Sequence, residues 1–431
     1  MRVKKRVFFQ ELLIYLLVFL LPVQLGRHFF FNFSRIGGLV SDYLTPVIYL
    51  TDIIILVLIF IDLKEIFGRQ KKRGQRQKQE GRGLIFLFFT YLLISSIVIA
   101  GNKWAAIYKF IKIGELFWLF KIIIDRQPKI HLLLTAYSLS VIYTSLLAIR
   151  QFIEQQSIGG AWWYLGERSF HASTAGIALG TLGGRLFLRA YATFAHPNLL
   201  GGFLSIGLPI VFLYLWRNFA LSKIKRIILT AGLILGTITL VLTFSRASWL
   251  VFGSGMALVI ITKVPEAGEF ITARKKWLFP IFIFLFIISV VLPLNLDKIR
   301  QVKRGSLFER SNLIEYSLLM ISQNPVWGTG LNNAIIKQYQ LMPKKYGLFI
   351  LQPVHNAYLL ILTELGLTGF LFLLIFLKRS FELLNRNNVS LYIPWLMLLA
   401  LGFFDHYLVT LQQGQLLVII FTSLVFNREK G

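Results

Sequence analysis

Three basic side chains lie at the ends of apolar segments, where they could act on an anion held in a membrane. His355 and its neighbour Asn356 open an apolar stretch long enough to cross a bilayer, and Arg189 and Arg246 lie beside two other such stretches. Imidazole titrates at about pH 6.5, so it can take a proton from a hydroxyl group at neutral pH. The planar guanidinium fork suits bidentate contact with phosphate oxygens. These residue types predict chemistry on a lipid-linked anion.

Each candidate also has a structural interpretation. His355 could be a hydrogen-bonded residue at the membrane interface, and Arg246 could extend to the lipid headgroups. His196, in a His-Pro-Asn sequence, fits the N-terminal end of a helix, and Asp405, next to a histidine, fits a structural ion pair as well as a counter-charge for a substrate-binding arginine. The helix start at Asn356 and the basic segment before it favour an anion beside His355.

Motifs for metal and nucleotide binding are missing from the sequence. The Gly-Thr-Gly-Leu-Asn-Asn run at 328–333 follows no strand and lacks the Gly-Lys-Ser/Thr of a phosphate-binding loop, so it predicts a turn. The chain contains no cysteine, and no Asp-x-Asp or clustered His/Glu motif stands in the segments predicted to lie outside. The sequence therefore predicts neither a metal nor another cofactor.

Apolar segments of membrane-spanning length recur along the whole chain. Of its 431 residues, 56% are hydrophobic and only 15% are charged, whereas soluble domains carry about 25% charged residues. The pattern predicts an all-α, polytopic membrane protein with about twelve transmembrane helices, and residues 1–431 form one integral membrane domain. The predicted spans lie near 7–25, 43–62, 84–101, 104–124, 131–152, 198–216, 226–244, 246–262, 277–295, 355–377, 391–408 and 412–426.

The distribution of basic residues predicts the orientation. More than half of the lysines and arginines fall on one set of connecting segments, including the basic loop 68–83, so this side and both termini are predicted to be cytoplasmic. The N-terminal apolar segment has no small-residue cleavage site and predicts a retained first helix. The net charge of +27 is explained by these loops and by anionic lipids, so we expect membrane lipids and no nucleic acid as partners.

Two long segments, 153–197 and 296–354, fall on the outer side, and the second is a large loop between spans nine and ten. An aromatic cluster at 162–164 indicates either an interface belt or a surface for stacking on sugar. The second loop is basic although outer loops are usually depleted of lysine and arginine, which predicts an anionic partner. We selected Arg310 from this loop as a substrate contact on charge alone. Its basic residues are Lys298, Arg300, Lys303, Arg304, Arg310, Lys337, Lys344 and Lys345.

Several motifs in one order resemble the O-antigen ligase/polymerase family of membrane glycosyltransferases. They are RAYATFAHPNLLGG from Arg189, the Arg-x-x-x-Leu element from Arg246, the turn NPVWGTGLNN, and His355-Asn356 followed after nine residues by Gly-Leu-Thr-Gly. The resemblance covers roughly residues 185–375, which it marks as the catalytic region. The preceding spans match the family only in hydropathy and layout.

The resemblance implies a glycosyltransferase-C-like fold and a glycan donor linked to undecaprenyl diphosphate in a bacterial inner membrane. It implies O-antigen, lipopolysaccharide or related envelope polysaccharide biosynthesis, with transfer on the extracytoplasmic face to a hydroxyl of a glycan, lipid or protein, without metal or nucleotide. Arg189 and Arg246 would hold the diphosphate, and His355 would act on the acceptor hydroxyl. His196, Asn356, Asp405 and Arg310 are the further candidates for substrate contact, and in-line attack would invert the anomeric centre.

Two alternatives remain open at this point. Within the family, the sequence does not separate a ligase from a polymerase that joins repeat units on the carrier. Outside it, about twelve spans with intramembrane charge also suit a flippase for lipid-linked oligosaccharides or another transporter. Transporters often show inverted repeats and interrupted helices at the membrane midplane, which this sequence lacks.

Overall fold

The computed structural model describes residues 2–70, 82–218, 221–262, 272–300, 306–342, 351–384 and 389–426. The predicted basic loop 68–83 falls largely outside the described residues, and so do Lys303, Arg304, Lys344 and Lys345 of the outer loop 296–354. The described residues contain fifteen α-helices: α1 Arg2–Phe19, α2 Leu50–Gln70, α3 Arg82–Ile94, α4 Lys103–Arg126, α5 Ile130–Glu154, α6 Pro197–Arg217, α7 Lys223–Leu242, α8 Arg246–Ile261, α9 Leu278–Arg300, α10 Ser306–Gln323, α11 Ala334–Leu341, α12 Ala357–Glu382, α13 Val389–Gly402, α14 Tyr407–Thr410 and α15 Gln412–Val425.

Six short strands form three two-stranded antiparallel sheets in the described residues. Strand β1 (Gly26–His28) pairs with β4 (Val47–Tyr49), and β2 (Arg35–Ile36) pairs with β3 (Leu39–Val40) between them. Strands β5 (Leu179–Leu182) and β6 (Arg185–Leu188) form a hairpin across Gly183 and Gly184. The hairpin therefore lies inside 153–197, one of the two long segments predicted to face outwards.

The helical fold class is confirmed, whereas the number of spans stays a prediction. Each of the twelve predicted spans contains a helix in the structure. Within the described residues, five helices are long and apolar enough to cross a membrane by length and composition: Ile130–Glu154, Pro197–Arg217, Lys223–Leu242, Lys275–Asn295 and Ala357–Glu382. Four shorter helices are apolar as well: Gly83–Ile99, Arg246–Ile261, Val389–Gly402 and Gln412–Val425.

Helix α6 is the centre of the helical core, since most of its length is buried by α5, α7, α8 and α13. Small residues on α6 allow this close packing. Tyr137 of α5 packs directly on Gly207, where a Cβ would overlap its ring, and its hydroxyl donates to the Phe203 carbonyl at 2.7 Å. This packing fixes the N-terminal end of α6, where His196 and Asn198 lie.

Two lysines of α4, inside the predicted span 104–124, are paired within the protein. Lys112 Nζ lies 2.6 Å from an Asp52 carboxylate oxygen and 3.0 Å from one of Glu115. Lys109 Nζ donates to the Val409 carbonyl at 2.6 Å. Ionisable groups inside a membrane protein are retained when they are paired in this way.

A kink in α12 explains the first glycine of the Gly-x-x-Gly element that follows the His-Asn pair. Gly366 has φ +60° and ψ −167°, a conformation that essentially only glycine adopts, and a Cβ there would overlap the Val326 carbonyl. The kink frees backbone groups that bind the NPVWGTG turn. Thr329 N donates to the Thr363 carbonyl at 3.0 Å, and Gly330 N donates to that of Glu364 at 2.9 Å. The turn is thereby fixed to the helix that begins after His355.

Candidate functional site

Asp405 is the centre of a polar cluster between helices. The sequence placed it inside a span at 391–408, but α13 ends at Gly402, so Asp405 lies in the turn before α14. Its Oδ1 lies 3.3 Å from His355 Nδ1 and accepts the backbone N–H of His406 at 2.8 Å. Its Oδ2 accepts from Asn198 Nδ2 at 3.1 Å. One carboxylate therefore joins the start of α6, the residue before the cap of α12 and the turn after α13.

Arg189 is joined to this carboxylate through Asn198. A terminal guanidinium nitrogen of Arg189 donates to Asn198 Oδ1 at 2.7 Å, and Arg189 Nε donates to the Thr243 carbonyl at 2.7 Å. Asn198 is thus a bridge that accepts from the arginine and donates to Asp405. The order Arg189, Asn198, Asp405, His355 forms one continuous hydrogen-bonded chain, which we call the site chain.

Arg246 stands at the first position of α8 with an exposed side chain. Arg246 lies three residues after Thr243, and the Thr243 carbonyl accepts a hydrogen bond from Arg189. The two predicted arginine elements therefore converge. Across the described residues, the guanidinium of Arg246 makes no hydrogen bond or ion pair. The positive end of the α8 dipole reinforces its charge. This geometry leaves Arg246 available to bind an anion.

Two histidines flank Asp405, but only one is accessible. The ring centroids of His355 and His406 lie 5.3 Å apart. The side chain of His355 is 21% exposed, whereas that of His406 is 6% exposed. His406 Nδ1 lies 2.8 Å from the Thr410 hydroxyl, and its ring meets that of Tyr43 edge-on at 5.7 Å. His355 is therefore the imidazole that a substrate can reach.

The electrostatics of the cluster separate the roles of its members. Burial alone would raise the pKa of Asp405, but the contact with His355, with smaller contributions from His406 and His196, holds that pKa well below its ordinary value. Burial lowers the pKa of His406 to about 4 and that of His196 to about 3, although Asp405 opposes both shifts. At neutral pH Asp405 is therefore ionised, and His406 and His196 are neutral.

Asn356 has its side chain fully engaged by the fold. Its Oδ1 accepts the backbone N–H groups of Tyr358 and Leu359 at 3.1 and 3.0 Å, which caps α12. Its Nδ2 donates to the Ser289 hydroxyl at 2.8 Å. This geometry favours a structural role over the predicted substrate contact, because the cap fixes the backbone that carries His355.

His196 and Arg310 differ in how they relate to the site chain. His196 is the N-cap residue of α6, and its Nδ1 accepts the backbone N–H of Asn198 at 3.1 Å. Arg310 lies on α10, whose Leu313 and Ile314 pack in one hydrophobic cluster with Val354. Its half-buried side chain has no hydrogen bond or ion pair to a described residue. His196 thus supports the site chain directly, whereas Arg310 lies on a neighbouring helix.

The sequence missed two members of the cluster. Asn198 was read only as a residue near a helix start, although its place after His-Pro was the available signal. His406 was noticed beside Asp405 but was not predicted as part of the site. Both depend on the approach of α6 to the turn after α13, which local patterns do not reveal.

His355, Asp405 and His406 also offer one metal-ligand atom each within 4.8 Å of one another. Two imidazoles and a carboxylate suit a divalent transition metal. The sequence predicted no metal, because residues 355 and 406 are too far apart to form a recognisable motif. His355 Nδ1 contacts Asp405, so a metal bound through that nitrogen would compete with the contact that orients the imidazole.

Residues 231–374 match a family model described as O-antigen ligase. A comparison of the chain with curated proteins gives no match. The matched residues include Arg246, Arg310 and His355, whereas Arg189 and Asp405 lie on either side of them.

Proposed function

Since the match over residues 231–374 supports assigning the chain to the O-antigen ligase/polymerase family, we propose that it transfers a glycan from an undecaprenyl-diphosphate carrier to an acceptor hydroxyl. The O-antigen ligase domain supports glycan transfer in polysaccharide assembly, and the apolar helices support a bacterial membrane protein. The donor, the acceptor class of glycan, lipid or protein, and the residue roles below are part of the proposal.

The observation that carries this proposal is the site chain with Arg246 beside it. It combines a cation free to bind phosphate, a second cation anchored by Asn198, and a partly exposed imidazole oriented by a buried carboxylate. Transfer from a glycosyl diphosphate needs these two functions together. The arginines stabilise the departing diphosphate, and the imidazole accepts the proton of the attacking hydroxyl.

In the proposed reaction, the acceptor oxygen forms a bond to the anomeric carbon while the bond from that carbon to the diphosphate oxygen breaks. The proton of the acceptor hydroxyl moves to Nε2 of His355, because Asp405 faces Nδ1 and favours the tautomer with its proton there. The lipid diphosphate leaves with its electron pair, and Arg246 and Arg189 stabilise the added charge. Attack opposite the leaving group inverts the anomeric centre.

The proposal includes the membrane arrangement. About twelve spans would place both termini in the cytoplasm and His355 on the extracytoplasmic face of the inner membrane. A site on that face would use a lipid-linked donor, since nucleotide sugars are cytoplasmic.

Purified protein supplied with lipid-linked glycan and an acceptor tests the assignment. We expect His355→Ala and Arg246→Ala to lower transfer at least about 100-fold, since each removes a group that acts in the transition state. His171→Ala and Arg185→Ala, at exposed positions of the segment 153–197, are matched controls with wild-type rates. Transfer should persist in excess chelator.

Wild-type rates in the His355 or Arg246 variants would refute the assignment. Translocation of the lipid-linked glycan without formation of a glycosidic bond would instead identify a flippase. To separate ligase from polymerase, glycans from a deletion strain can be run on a gel. Single repeat units point to a polymerase, and full-length chains retained on the carrier point to a ligase.

A further inference from the structure

A polar cavity of about 180 Å³ lies beside the site chain and has no role in the mechanism above. It is smaller than the roughly 300–1,000 Å³ of a typical drug-sized ligand site, so it suits one small polar unit. The cavity is lined mainly by the segment 24–49, helix α4, residues 166–168 and residues 410–415. The residues that matter for its chemistry are Gln24, Asp42, Tyr43, Tyr49, Arg168 and Thr410.

Several polar groups of this cavity are available to a ligand. Among the described residues, the side chains of Gln24, Asp42, Tyr43 and Tyr49 have no hydrogen-bond partner. Arg168 uses one terminal nitrogen on the Ala195 carbonyl at 2.5 Å, which leaves further N–H donors. An amide, a carboxylate, a guanidinium and two phenol groups can together donate to and accept from hydroxyl groups.

The charge of the cavity is close to balanced. Two lysines also line the cavity. Lys112 forms ion pairs with Asp52 and Glu115. Lys109 donates to the Val409 carbonyl and interacts electrostatically with the Glu364 carboxylate. The remaining charges are Asp42 and Arg168, which have opposite signs. A neutral ligand with several hydroxyl groups fits this set better than an anion does.

The cavity lies on the acceptor side of His355. Tyr43 lines it and contacts the ring of His406, which lies next to that of His355. Thr410 lines it as well and pairs with His406 Nδ1. Arg189 stands at the other end of the site chain, beyond Asn198 and Asp405. A group bound in the cavity therefore lies beside Tyr43 and Thr410, the two residues that contact His406.

We propose that this cavity binds a neutral sugar residue of the acceptor, with Asp42, Arg168 and the phenol hydroxyls of Tyr43 and Tyr49 forming hydrogen bonds to its hydroxyl groups. The assignment rests on the proposed function, because it takes His355 as the base for the acceptor hydroxyl. It predicts that the acceptor of this enzyme is a saccharide that is uncharged at its terminal residue.

Saturation-transfer NMR tests the cavity without requiring turnover. The probes are the methyl glycosides of glucose, galactose and mannose at millimolar concentration, with methyl glucuronide as the anionic comparison. The protein is held in a detergent that contains no sugar. We expect a saturation-transfer signal from at least one neutral glycoside. Asp42→Asn and Tyr49→Phe should each reduce this signal to half or less. Tyr164→Phe, at an exposed tyrosine, is the matched control with wild-type signal.

Equal signals in Tyr49→Phe, Asp42→Asn and the control would overturn the proposal. So would no signal from any neutral glycoside, or a stronger signal from the glucuronide. Unfolding curves that coincide with wild type establish that each variant is folded.

Kinetics separate failure of the cavity from failure of the proposed function. With lipid-linked donor, Asp42→Asn and Arg168→Gln should raise the acceptor KM at least about fivefold, with kcat and donor KM within about twofold of wild type. Arg185→Gln is the control. If wild type forms no glycosidic bond, the proposed function is wrong. If wild type is active and both cavity variants keep its acceptor KM, only the sugar-binding proposal is wrong.

Discussion

Asp405 decides which nitrogen of His355 is free. Its Oδ1 faces Nδ1 of His355 at 3.3 Å, and Asn198 holds the other carboxylate oxygen, so the carboxylate cannot rotate without losing a second bond. A carboxylate in this position accepts a hydrogen bond from Nδ1–H and leaves Nε2 unprotonated to act as a base. Asp405 is accordingly a positioning residue, since it acts on the substrate only through His355.

Replacing Asp405 by Asn should lower kcat at least about 100-fold, because an amide can donate to Nδ1 and favour the wrong tautomer. The donor KM should stay within about threefold, because the arginines remain. Transfer assays over a range of donor concentrations measure both quantities. Asp125→Asn, at an exposed position near the C-terminal end of α4, is the control and should behave as wild type. A large rise in donor KM with unchanged kcat would show that Asp405 binds the substrate instead.

Acid should destabilise the protein through His406. Its folded pKa is about 4, below the ordinary value of about 6.5, so the unfolded chain binds more protons between these values. The contribution of His406 to the free energy of unfolding is therefore fully present above pH 6.5. It is lost as pH falls towards 4, by up to about 1.4 kcal/mol per pH unit. The depressed pKa of Asp405 adds no loss in this window, since its contribution disappears only at lower pH.

Thermal unfolding in detergent between pH 7 and 5 measures this effect. The unfolding temperature of wild type should fall with pH, and His406→Gln should reduce the slope. His171→Gln, at an exposed position, should leave the slope unchanged. Identical slopes in wild type and His406→Gln would contradict a neutral, buried His406.

At the scale of elements, the kink in α12 fixes the turn at 324–330 relative to His355. Beyond the two backbone bonds at Thr329 and Gly330, Leu367 N donates to the Pro325 carbonyl at 2.8 Å, and the Tyr91 hydroxyl donates to the Leu365 carbonyl. Glu364 Oε2 accepts the backbone N–H of Asn332 at 2.9 Å. The Glu364 side chain therefore holds the turn in place.

Gly366→Ala should destabilise the protein by about 3 kcal/mol or more, because it combines a strained backbone with overlap at the Val326 carbonyl. Gly114→Ala in α4 is the matched control, since a Cβ there meets no atom within 4 Å. Thermal unfolding compares the two variants. If they unfold at the same temperature, the kink does not depend on glycine.

At the scale of the whole molecule, the orientation in the membrane can be tested directly because the chain has no cysteine. Ser173→Cys and Ser222→Cys each introduce one thiol at an exposed position. A membrane-impermeant maleimide applied from outside should label Ser173→Cys in intact inner-membrane preparations of known orientation, and Ser222→Cys only after permeabilisation. The reverse labelling pattern would place His355 on the cytoplasmic side and exclude the proposed donor.

The sequence by itself determined the features that depend on local composition. Hydropathy predicted a helix in every one of the twelve segments, because a long apolar run in lipid must satisfy its backbone internally. It also singled out His355, Arg246 and Arg189, since polar groups next to apolar spans are costly and stand out. The motifs pointed to the O-antigen ligase/polymerase family, and residues 231–374 match a family model described as O-antigen ligase.

Only the tertiary structure decided how these residues combine. Asn198, Asp405 and His355 come from segments that are far apart in the chain, so their bonds depend on the packing of α6 against the end of α13. The approach of α9 brought the Ser289 hydroxyl to the Asn356 amide, and segments far apart in the chain line the cavity at Tyr43 and Tyr49. Such contacts have no local pattern, because hydrogen bonds between distant segments depend on distances that the fold alone sets.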